Sequence, residues 1–294
     1  MTMAPAPRPV RGLPIVRSVA ALREWTAAWR GEGARFGMVP TMGALHAGHG
    51  ALIARARADC GRVVATLFVN PKQFNRADDL ERYPRDEGRD VAFLEAAGVD
   101  LLFAPPTEEM YPDGFATAVK VSGLTDCLCG VARPGHLTGV ATVVTKLLLQ
   151  GAPDSAYFGE KDYQQLLVVQ RLARDLDIPV DIVGVPTVRE DDGLALSSRN
   201  AALDPAQRAV APGLYRVLRA AVARLASGES AEPVLRDGRA ALTEAGFDSI
   251  DYLELRSGET LAALERATPT ARVFAAVWLG GTRLIDNLAV TPAA

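Results

Sequence analysis

Two of the chain's three histidines stand close together, at His46 and His49, in a glycine-containing run that follows an apolar stretch. Glycine lets backbone amides approach a phosphate closely, and a helix that starts near Ala47 would point the positive end of its dipole at the same place. Histidines three positions apart share one face of a helical turn. We therefore predict an anion site with two titratable donors here, in preference to a pair of surface histidines.

A second polar segment, Asn70-Pro71-Lys72-Gln73, follows the next apolar stretch. Proline after asparagine predicts a turn, which can direct Gln73 back toward the strand ends. The glutamine amide has both donors and an acceptor, so it suits a substrate with a carboxylate and a hydroxyl. The alternative is a loop glutamine in solvent.

A third segment runs from Gly159 to Gln165 and has the order strand, glycine, helix start. Lys161 and Gln165 are four apart and share a helical face. A lysine at a helix N-terminus opposes the helix dipole, which is reasonable if an anion binds beside it. A solvated lysine is the alternative.

A fourth segment, Ser197-Ser198-Arg199, combines two hydroxyl groups with a permanent cation. This combination is typical of a phosphate clamp. The alternative is a serine pair that caps a helix.

The composition excludes some classes of function. The 294 residues carry a net charge of −3 with no basic block, which argues against nucleic acid as a partner. No apolar stretch is long enough for a membrane span, and residues 1–12 are interpreted as a frayed tail rather than a secretory signal.

The chain has three cysteines, an odd number, which favours reduced thiols over a disulfide framework. A metal site at Cys127, Cys129 and His136 is disfavoured because a fourth ligand is missing.

Strand-like and helix-like segments alternate through the first two-thirds of the chain, which predicts an α/β fold with a doubly wound parallel sheet. Ligands of such sheets bind at the carboxyl ends of the strands, where the first three of these polar segments begin. The predicted strands are 35–41, 62–70, 100–105, 155–159 and 180–188. The predicted helices are 19–29, 48–60, 86–97, 139–150 and 162–175.

The last third predicts a smaller α+β domain. A long helix should begin with Asp204 as N-cap and Pro205 at its first position, and a second should cover 232–245. Strands at 249–256, 272–279 and 282–288 follow, the last two joined by a hairpin at Gly280-Gly281. We divide the chain into two domains, 1–188 and 189–294, with a candidate hinge at 189–193.

The four segments, together with Arg133-Pro134-Gly135-His136, resemble the pantoate–β-alanine ligase family of the HxGH nucleotidyltransferase superfamily. They occur in the family's order, and the resemblance covers about residues 14–290. Three positions depart from the usual pattern: Ala47 replaces Glu, Leu196 replaces Met, and Leu137 replaces Phe.

The resemblance implies a Rossmann-like fold, in which 1–188 would be the nucleotide-binding catalytic domain and 189–294 a C-terminal lid. The same resemblance implies a two-step ligation that needs ATP and Mg²⁺. It also implies a homodimer in the cytoplasm, with pantoate and β-alanine as small-molecule substrates. His46, His49, Lys161 and Arg199 would be catalytic, and Asn70, Gln73 and Gln165 would bind pantoate or β-alanine. The ATP site would be lined by Met42, Gly43, Ala44, Leu45, His46, Ala47, Gly48, His49, Gly159, Glu160, Lys161, Asp162, Val188, Leu196, Ser197, Ser198 and Arg199. The metal ligands stay unidentified, with Asp90 a weak candidate.

Other functions remain open from the sequence. An adenylyltransferase of the same superfamily could act on a different small acid. A non-catalytic nucleotide sensor would tolerate loss of Lys161 or Arg199, whereas an enzyme needs both. A metal-dependent hydrolase built on the three histidines is disfavoured, because no carboxylate stands at ligand spacing.

Overall fold

The computed structural model describes residues 12–75 and 77–291, which form two compact units. The first unit contains 12–121, 135–159 and 168–185, and the second contains 122–134, 160–167 and 186–291. The frayed tail expected at 1–12 lies, apart from Gly12, outside the described residues. The second unit thus includes two segments, 122–134 and 160–167, that the sequence-based division assigns to the first domain.

The first unit is built on a six-stranded parallel sheet in the order β1-β4-β3-β2-β5-β6. Its interior is apolar on both faces, as in parallel sheets that helices cover on both sides. The strand order reverses beside β2, where β2 pairs with both β3 and β5, so the switch point of this doubly wound sheet is at β2 and β5. The strands are β1 (Ile15–Val16), β2 (Phe36–Thr41), β3 (Arg62–Leu67), β4 (Leu101–Phe103), β5 (Ser155–Gly159) and β6 (Asp181–Val185).

Helices alternate with these strands as predicted. The most buried is α7, because apolar and small side chains occupy nearly all of its positions. The helices up to residue 175 are α1 (Val19–Gly31), α2 (Ala47–Asp59), α3 (Ala77–Arg82), α4 (Glu87–Ala96), α5 (Thr107–Met110), α6 (Cys129–Ala132), α7 (His136–Gly151) and α8 (Tyr163–Asp175). Within the part of the chain that the structure describes, no helix combines the length and the apolar character needed to span a bilayer.

The second unit packs two helices on one face of a three-stranded antiparallel sheet. The strands β7 (Ser249–Ser257), β8 (Ala271–Leu279) and β9 (Thr282–Ala289) pair in chain order. The core lies between this sheet and the helices α10 (Gly213–Ala226) and α11 (Ala231–Glu244). Gly280 and Gly281 both have positive φ, which confirms the predicted hairpin because a type I′ turn needs it at both positions.

The opposite face of this sheet explains why two distant segments join the second unit. Tyr252 on β7 has its hydroxyl 3.1 Å from the Cys129 sulfur, and the Phe274 ring on β8 contacts Tyr163. The segments 122–134 and 160–167 therefore pack on side chains of β7 to β9.

The structure corrects several predicted boundaries. The long helix expected after Asp204 is two helices, α9 (Pro205–Val210) and α10, because Pro212 interrupts it. The Asp204 cap itself is confirmed, with Gln207 completing a capping box. The strand predicted to reach Asn70 ends at Leu67, and α7 begins at His136 instead of residue 139.

Candidate active site

The connection from β2 to α2 has the predicted strand–turn–helix order. Gly43 has φ +84° and Ala44 has φ +52°, so two consecutive residues lie in the left-handed region before α2 begins at Ala47. Glycine at position 43 is required for a second reason, because a Cβ there would lie 2.7 Å from the Asp90 Oδ2. The turn that carries the histidines is thus held in one conformation.

His46 and His49 complete the first turn of α2 by capping each other. The Gly48 N–H donates to His46 Nδ1 at 3.1 Å, and the His46 N–H donates to His49 Nδ1 at 3.3 Å. The ring centroids are 4.2 Å apart. Because each Nδ1 accepts a hydrogen bond from the backbone, each neutral ring carries its hydrogen on Nε2. The pair therefore has two Nε2–H donors.

The amides that precede the histidines bind Asp90 of α4. Asp90 is buried, and its two oxygens accept from the Ala44 N–H at 2.9 Å and the Leu45 N–H at 2.8 Å. The sequence indicates Asp90 only as a weak candidate for a metal ligand. Because Asp90 is 45 residues away from Leu45 in the chain, no local sequence pattern indicates that the two form a hydrogen bond.

Asn70 and Gln73 form one buried cluster in the first unit. The Asn70 amide nitrogen donates to Gln73 Oε1 at 3.0 Å and to the Gly139 carbonyl at 3.1 Å. Its oxygen accepts from the Lys72 N–H at 3.2 Å and from the Tyr111 hydroxyl at 2.8 Å. Both amide hydrogens and the oxygen of Asn70 are thus engaged within the protein, so Asn70 fixes the orientation of Gln73.

The start of α7 packs directly on this cluster. His136 Nδ1 lies 2.8 Å from the Gln73 carbonyl oxygen. Because a carbonyl oxygen can only accept, Nδ1 is the donor of this hydrogen bond. A Cβ on Gly139 would lie 2.1 Å from the Lys72 carbonyl oxygen, so only glycine permits this approach. These contacts give His136 a structural role that its sequence context did not reveal. Burial raises the pKa of Tyr111 well above the ordinary tyrosine value, so its hydroxyl stays protonated as a donor.

Lys161 belongs to a short 3₁₀ turn, Glu160–Asp162, that precedes α8. The lysine side chain is largely buried, and its Nζ lies 3.8 Å from Asp162 Oδ2. Gly159, at the end of β5, is in the first unit, and Lys161 is in the second.

The adjacent glutamines of α8 have different surroundings. Gln164 is buried and donates to the carbonyls of Leu124 and Cys127 at 2.8 and 2.9 Å, while its oxygen accepts from the Cys129 N–H at 3.0 Å. Gln165 is half-buried in the first turn of the helix. Gln164 therefore holds the 124–129 segment, and Gln165 is the glutamine that the sequence predicts for the site.

The serine–arginine segment forms another 3₁₀ turn, Ser198–Ala202. The Ser197 hydroxyl accepts from the Arg199 N–H at 3.3 Å, so this serine caps the turn. Just before the turn, the Leu196 N–H donates a backbone hydrogen bond of 3.0 Å to the Val188 carbonyl. Within the second unit, a cleft is lined by both Lys161 and Ser197. Its other lining residues are Leu194, Ala195, Asn200, Leu214, Tyr215, Leu284, Ile285 and Asp286.

Ion pairs hold the loop that leads to this turn. Arg208 donates to Asp192 Oδ2 and to Glu190 Oε2, both at 2.6 Å. The Arg208 hydrogen bond keeps the pKa of Asp192 below its ordinary value. Arg189 makes two bonds of 2.6 and 2.9 Å to the buried Asp286.

Residues 14–289 match the family model described as pantoate-beta-alanine ligase. The chain belongs to the pantoate–beta-alanine ligase family. One relative from that family, the pantothenate synthetase of Paramagnetospirillum magneticum, is 58% identical over 278 residues, which cover 95% of this chain and 98% of the relative. The Roseobacter denitrificans pantothenate synthetase is 52% identical with the same coverage.

Solved structures of the pantoate–beta-alanine ligase family agree with the fold. The pantothenate synthetase from Thermus thermophilus aligns with a TM-score of 0.89 and 53% identity, covering 95% of this chain and all of that one. The Francisella tularensis ligase, described as complexed with beta-gamma ATP and beta-alanine, aligns with a TM-score of 0.81 and 32% identity. That alignment covers 94% of this chain and 97% of that one.

Proposed function

We propose that this chain uses ATP to condense (R)-pantoate with β-alanine, with pantothenate, AMP and pyrophosphate as products. The chain belongs to a family named for this ligation, and the Francisella tularensis relative is described as a complex with beta-gamma ATP and beta-alanine. The single observation that carries the proposal is the His46–His49 turn, whose two rings are fixed by backbone amides with a hydrogen on each Nε2.

The reaction has two steps. In the first, a pantoate carboxylate oxygen attacks the α-phosphorus of ATP, and the bond to the bridging oxygen breaks, so pyrophosphate leaves. In the second, the β-alanine nitrogen attacks the acyl carbon of the pantoyl adenylate. The bond from that carbon to the AMP oxygen breaks, and the nitrogen loses a proton.

The first step brings an anionic carboxylate to an anionic phosphate, so fixed donors and cations are its main requirement. His46 and His49 bind ATP phosphates through their Nε2 hydrogens, and the His49 Nε2–H donates a hydrogen bond to the departing pyrophosphate. Lys161 and Arg199 neutralise the charge that grows at the α-phosphate, while Ser197 and Ser198 donate to phosphate oxygens.

Pantoate binding falls to neutral amides. Gln73 and Gln165 bind its carboxylate and hydroxyl groups, because an amide can donate and accept at once. Asn70 acts on pantoate through Gln73, whose oxygen it binds. The rest of the ATP-binding site is proposed to be lined by Met42, Gly43, Ala44, Leu45, Ala47, Gly48, Gly159, Glu160, Asp162, Val188 and Leu196.

Magnesium enters this scheme with ATP. Among residues 12–75 and 77–291, no three His, Cys, Asp or Glu side chains come together as a metal-binding group. Both oxygens of Asp90 already accept backbone hydrogen bonds. In this described part of the chain the side chains form no metal cage. We therefore expect Mg²⁺ to bind as its complex with ATP, with phosphates and water as its ligands.

Three further parts of the proposal rest on family membership: a homodimer, a cytoplasmic location, and the lid role of residues 189–294. The lid role predicts that a non-hydrolysable ATP analogue slows amide hydrogen exchange in residues 189–199. Unchanged exchange at a saturating analogue concentration would contradict it.

Product analysis tests the function. The protein is incubated with MgATP, pantoate and β-alanine, and the nucleotides and the acid products are separated. We expect AMP and pantothenate in equal amounts and neither product when pantoate is omitted. ADP as the nucleotide product, or AMP without pantothenate, would contradict the proposal.

A further inference from the structure

Strand β9 carries two adjacent polar residues, Asp286 and Asn287, that are each only 3% exposed. Successive side chains of a strand point to opposite faces of the sheet. Asp286 binds Arg189, whereas Asn287 lies opposite Phe274 on the face that packs on residues 160–167. A buried amide costs free energy unless it is hydrogen-bonded, so the partners of Asn287 indicate its use.

Both hydrogens of the Asn287 amide are directed at the lysine turn. Its Nδ2 donates to the Glu160 carbonyl and to the Lys161 carbonyl, each at 2.9 Å. Its oxygen accepts from the Arg272 guanidinium. One side chain thus fixes two consecutive peptide units on either side of the Lys161 Cα, although Asn287 and Lys161 are 126 residues apart in the chain.

Arg272 supports the same turn from β8. Its guanidinium carbon lies 3.8 Å from the centre of the Tyr163 ring, and one nitrogen is 3.5 Å from Glu160 Oε2. The turn is therefore held on its backbone by Asn287 and on its flanking side chains by Arg272. The Lys161 ammonium contacts the neighbouring Asp162 at 3.8 Å, a distance too long for a strong hydrogen bond. The turn therefore places the lysine mainly through its backbone.

We propose that Asn287 is a positioning residue for adenylate formation and acts through Lys161. The inference rests on the proposed function, in which Lys161 neutralises charge at the α-phosphate. A lysine has a long flexible side chain, so the position of its backbone decides where its ammonium group can reach. Displacement of a catalytic group by about 1 Å can cost on the order of a hundredfold in rate.

A double-mutant cycle separates this role from a contribution to stability. Asn287→Leu keeps the approximate volume and removes both donors. We expect it to lower the kcat of pantoate-dependent pyrophosphate exchange by about tenfold or more, with KM values little changed, because Lys161 acts on charge that develops in the transition state. In a Lys161→Ala background, Asn287→Leu should cause no further loss. Asn287→Ser, which leaves room for water at the two carbonyls, replaces it if the leucine variant does not fold.

Leu288→Ala is the matched control, because Leu288 is the next residue of β9 and packs on the core instead of the turn. It should lower the melting temperature and leave the exchange rate unchanged in both backgrounds. If the fold-losses in exchange rate caused by the Asn287 and Lys161 substitutions multiply in the double variant, the positioning role is overturned. If Lys161→Ala itself exchanges at the wild-type rate, the proposed role of Lys161 fails, and the inference fails with it.

Discussion

Asp90 accepts a hydrogen bond of 2.8 Å from the Leu45 N–H, so a buried carboxylate of α4 fixes the turn that carries His46. Its second oxygen binds the preceding amide, of Ala44, at 2.9 Å. The turn needs this support because Ala44, a residue with a Cβ, has positive φ.

Removing the Asp90 carboxylate should therefore reduce both stability and activity. Asp90→Ala leaves two amides without their acceptor, and each orphaned amide costs about 1–3 kcal/mol. Urea unfolding measures the first effect and pantoate-dependent exchange the second. Asp86→Ala is the control, because Asp86 caps the same helix without contacting the turn. It should lower stability alone, by about 1 kcal/mol. Wild-type exchange in Asp90→Ala would show that the turn does not need the carboxylate.

The capping role of His46 and its proposed role in phosphate binding can be separated by substitution. His46→Asn keeps a side-chain acceptor for the Gly48 N–H, since asparagine is a good N-cap, and removes the ring. We expect near-wild-type melting and an adenylate-forming rate about a hundredfold lower, the usual cost of losing one preorganised donor. His46→Ala should lose the same rate and also stability. Single-turnover measurements of adenylate formation on both variants test this expectation. Substantial adenylate-forming activity in His46→Asn would mean that the His46 ring has a purely structural role.

The neighbouring glutamines of α8 provide another matched comparison. Gln165→Ala should weaken pantoate binding with little effect on ATP binding or melting, because its amide is proposed to bind the acid. Gln164→Ala should lower the melting temperature, because it removes three hydrogen bonds to the 124–129 segment. Calorimetric titration with each substrate separates the two. Equal weakening of ATP and pantoate binding by Gln165→Ala would argue against its assignment.

Elements with local signals were predictable from the sequence. Strand β5 has its predicted bounds, the Asp204 cap is confirmed, and the glycine pair forms the hairpin. Each depends on residues within a few positions of one another. The break at Pro212 is also locally encoded, and the prediction of one long helix was wrong because proline interrupts the backbone hydrogen bonding of a helix.

Features that depend on distant contacts were not predictable. Asp90, His136 and Asn287 bind backbone groups 45, 63 and 126 residues away. Periodicity and spacing describe only neighbours, so no pattern in the sequence pairs these residues with the turns that they hold. The same reason explains why the 160–167 segment was assigned to the first domain.

The ion pairs of Arg208 should govern local opening of the loop before Ser197. Because the folded-state pKa of Asp192 is lowered, the pair stabilises the fold fully above the ordinary aspartate pKa and loses its effect as the pH falls through the lowered value. The range from pH 6 to pH 8 lies on the order of two units or more above the ordinary aspartate pKa. Within it we expect the stabilisation by the Arg208–Asp192 pair to stay constant. Arg208→Gln should speed hydrogen exchange in residues 189–196, whereas Arg236→Gln, which removes two exposed ion pairs on α11, should not. Equal exchange in the two variants would contradict this.

The order of the two steps is the central claim of this account, and pyrophosphate exchange into ATP tests it most directly. Labelled pyrophosphate is incubated with the protein, MgATP and pantoate, with and without β-alanine. Because the acid is activated before the amine attacks, label should enter ATP when pantoate is present and β-alanine is absent. Lys161→Ala should reduce this rate by about a hundredfold. Exchange that requires β-alanine, or that proceeds without pantoate, would contradict the account.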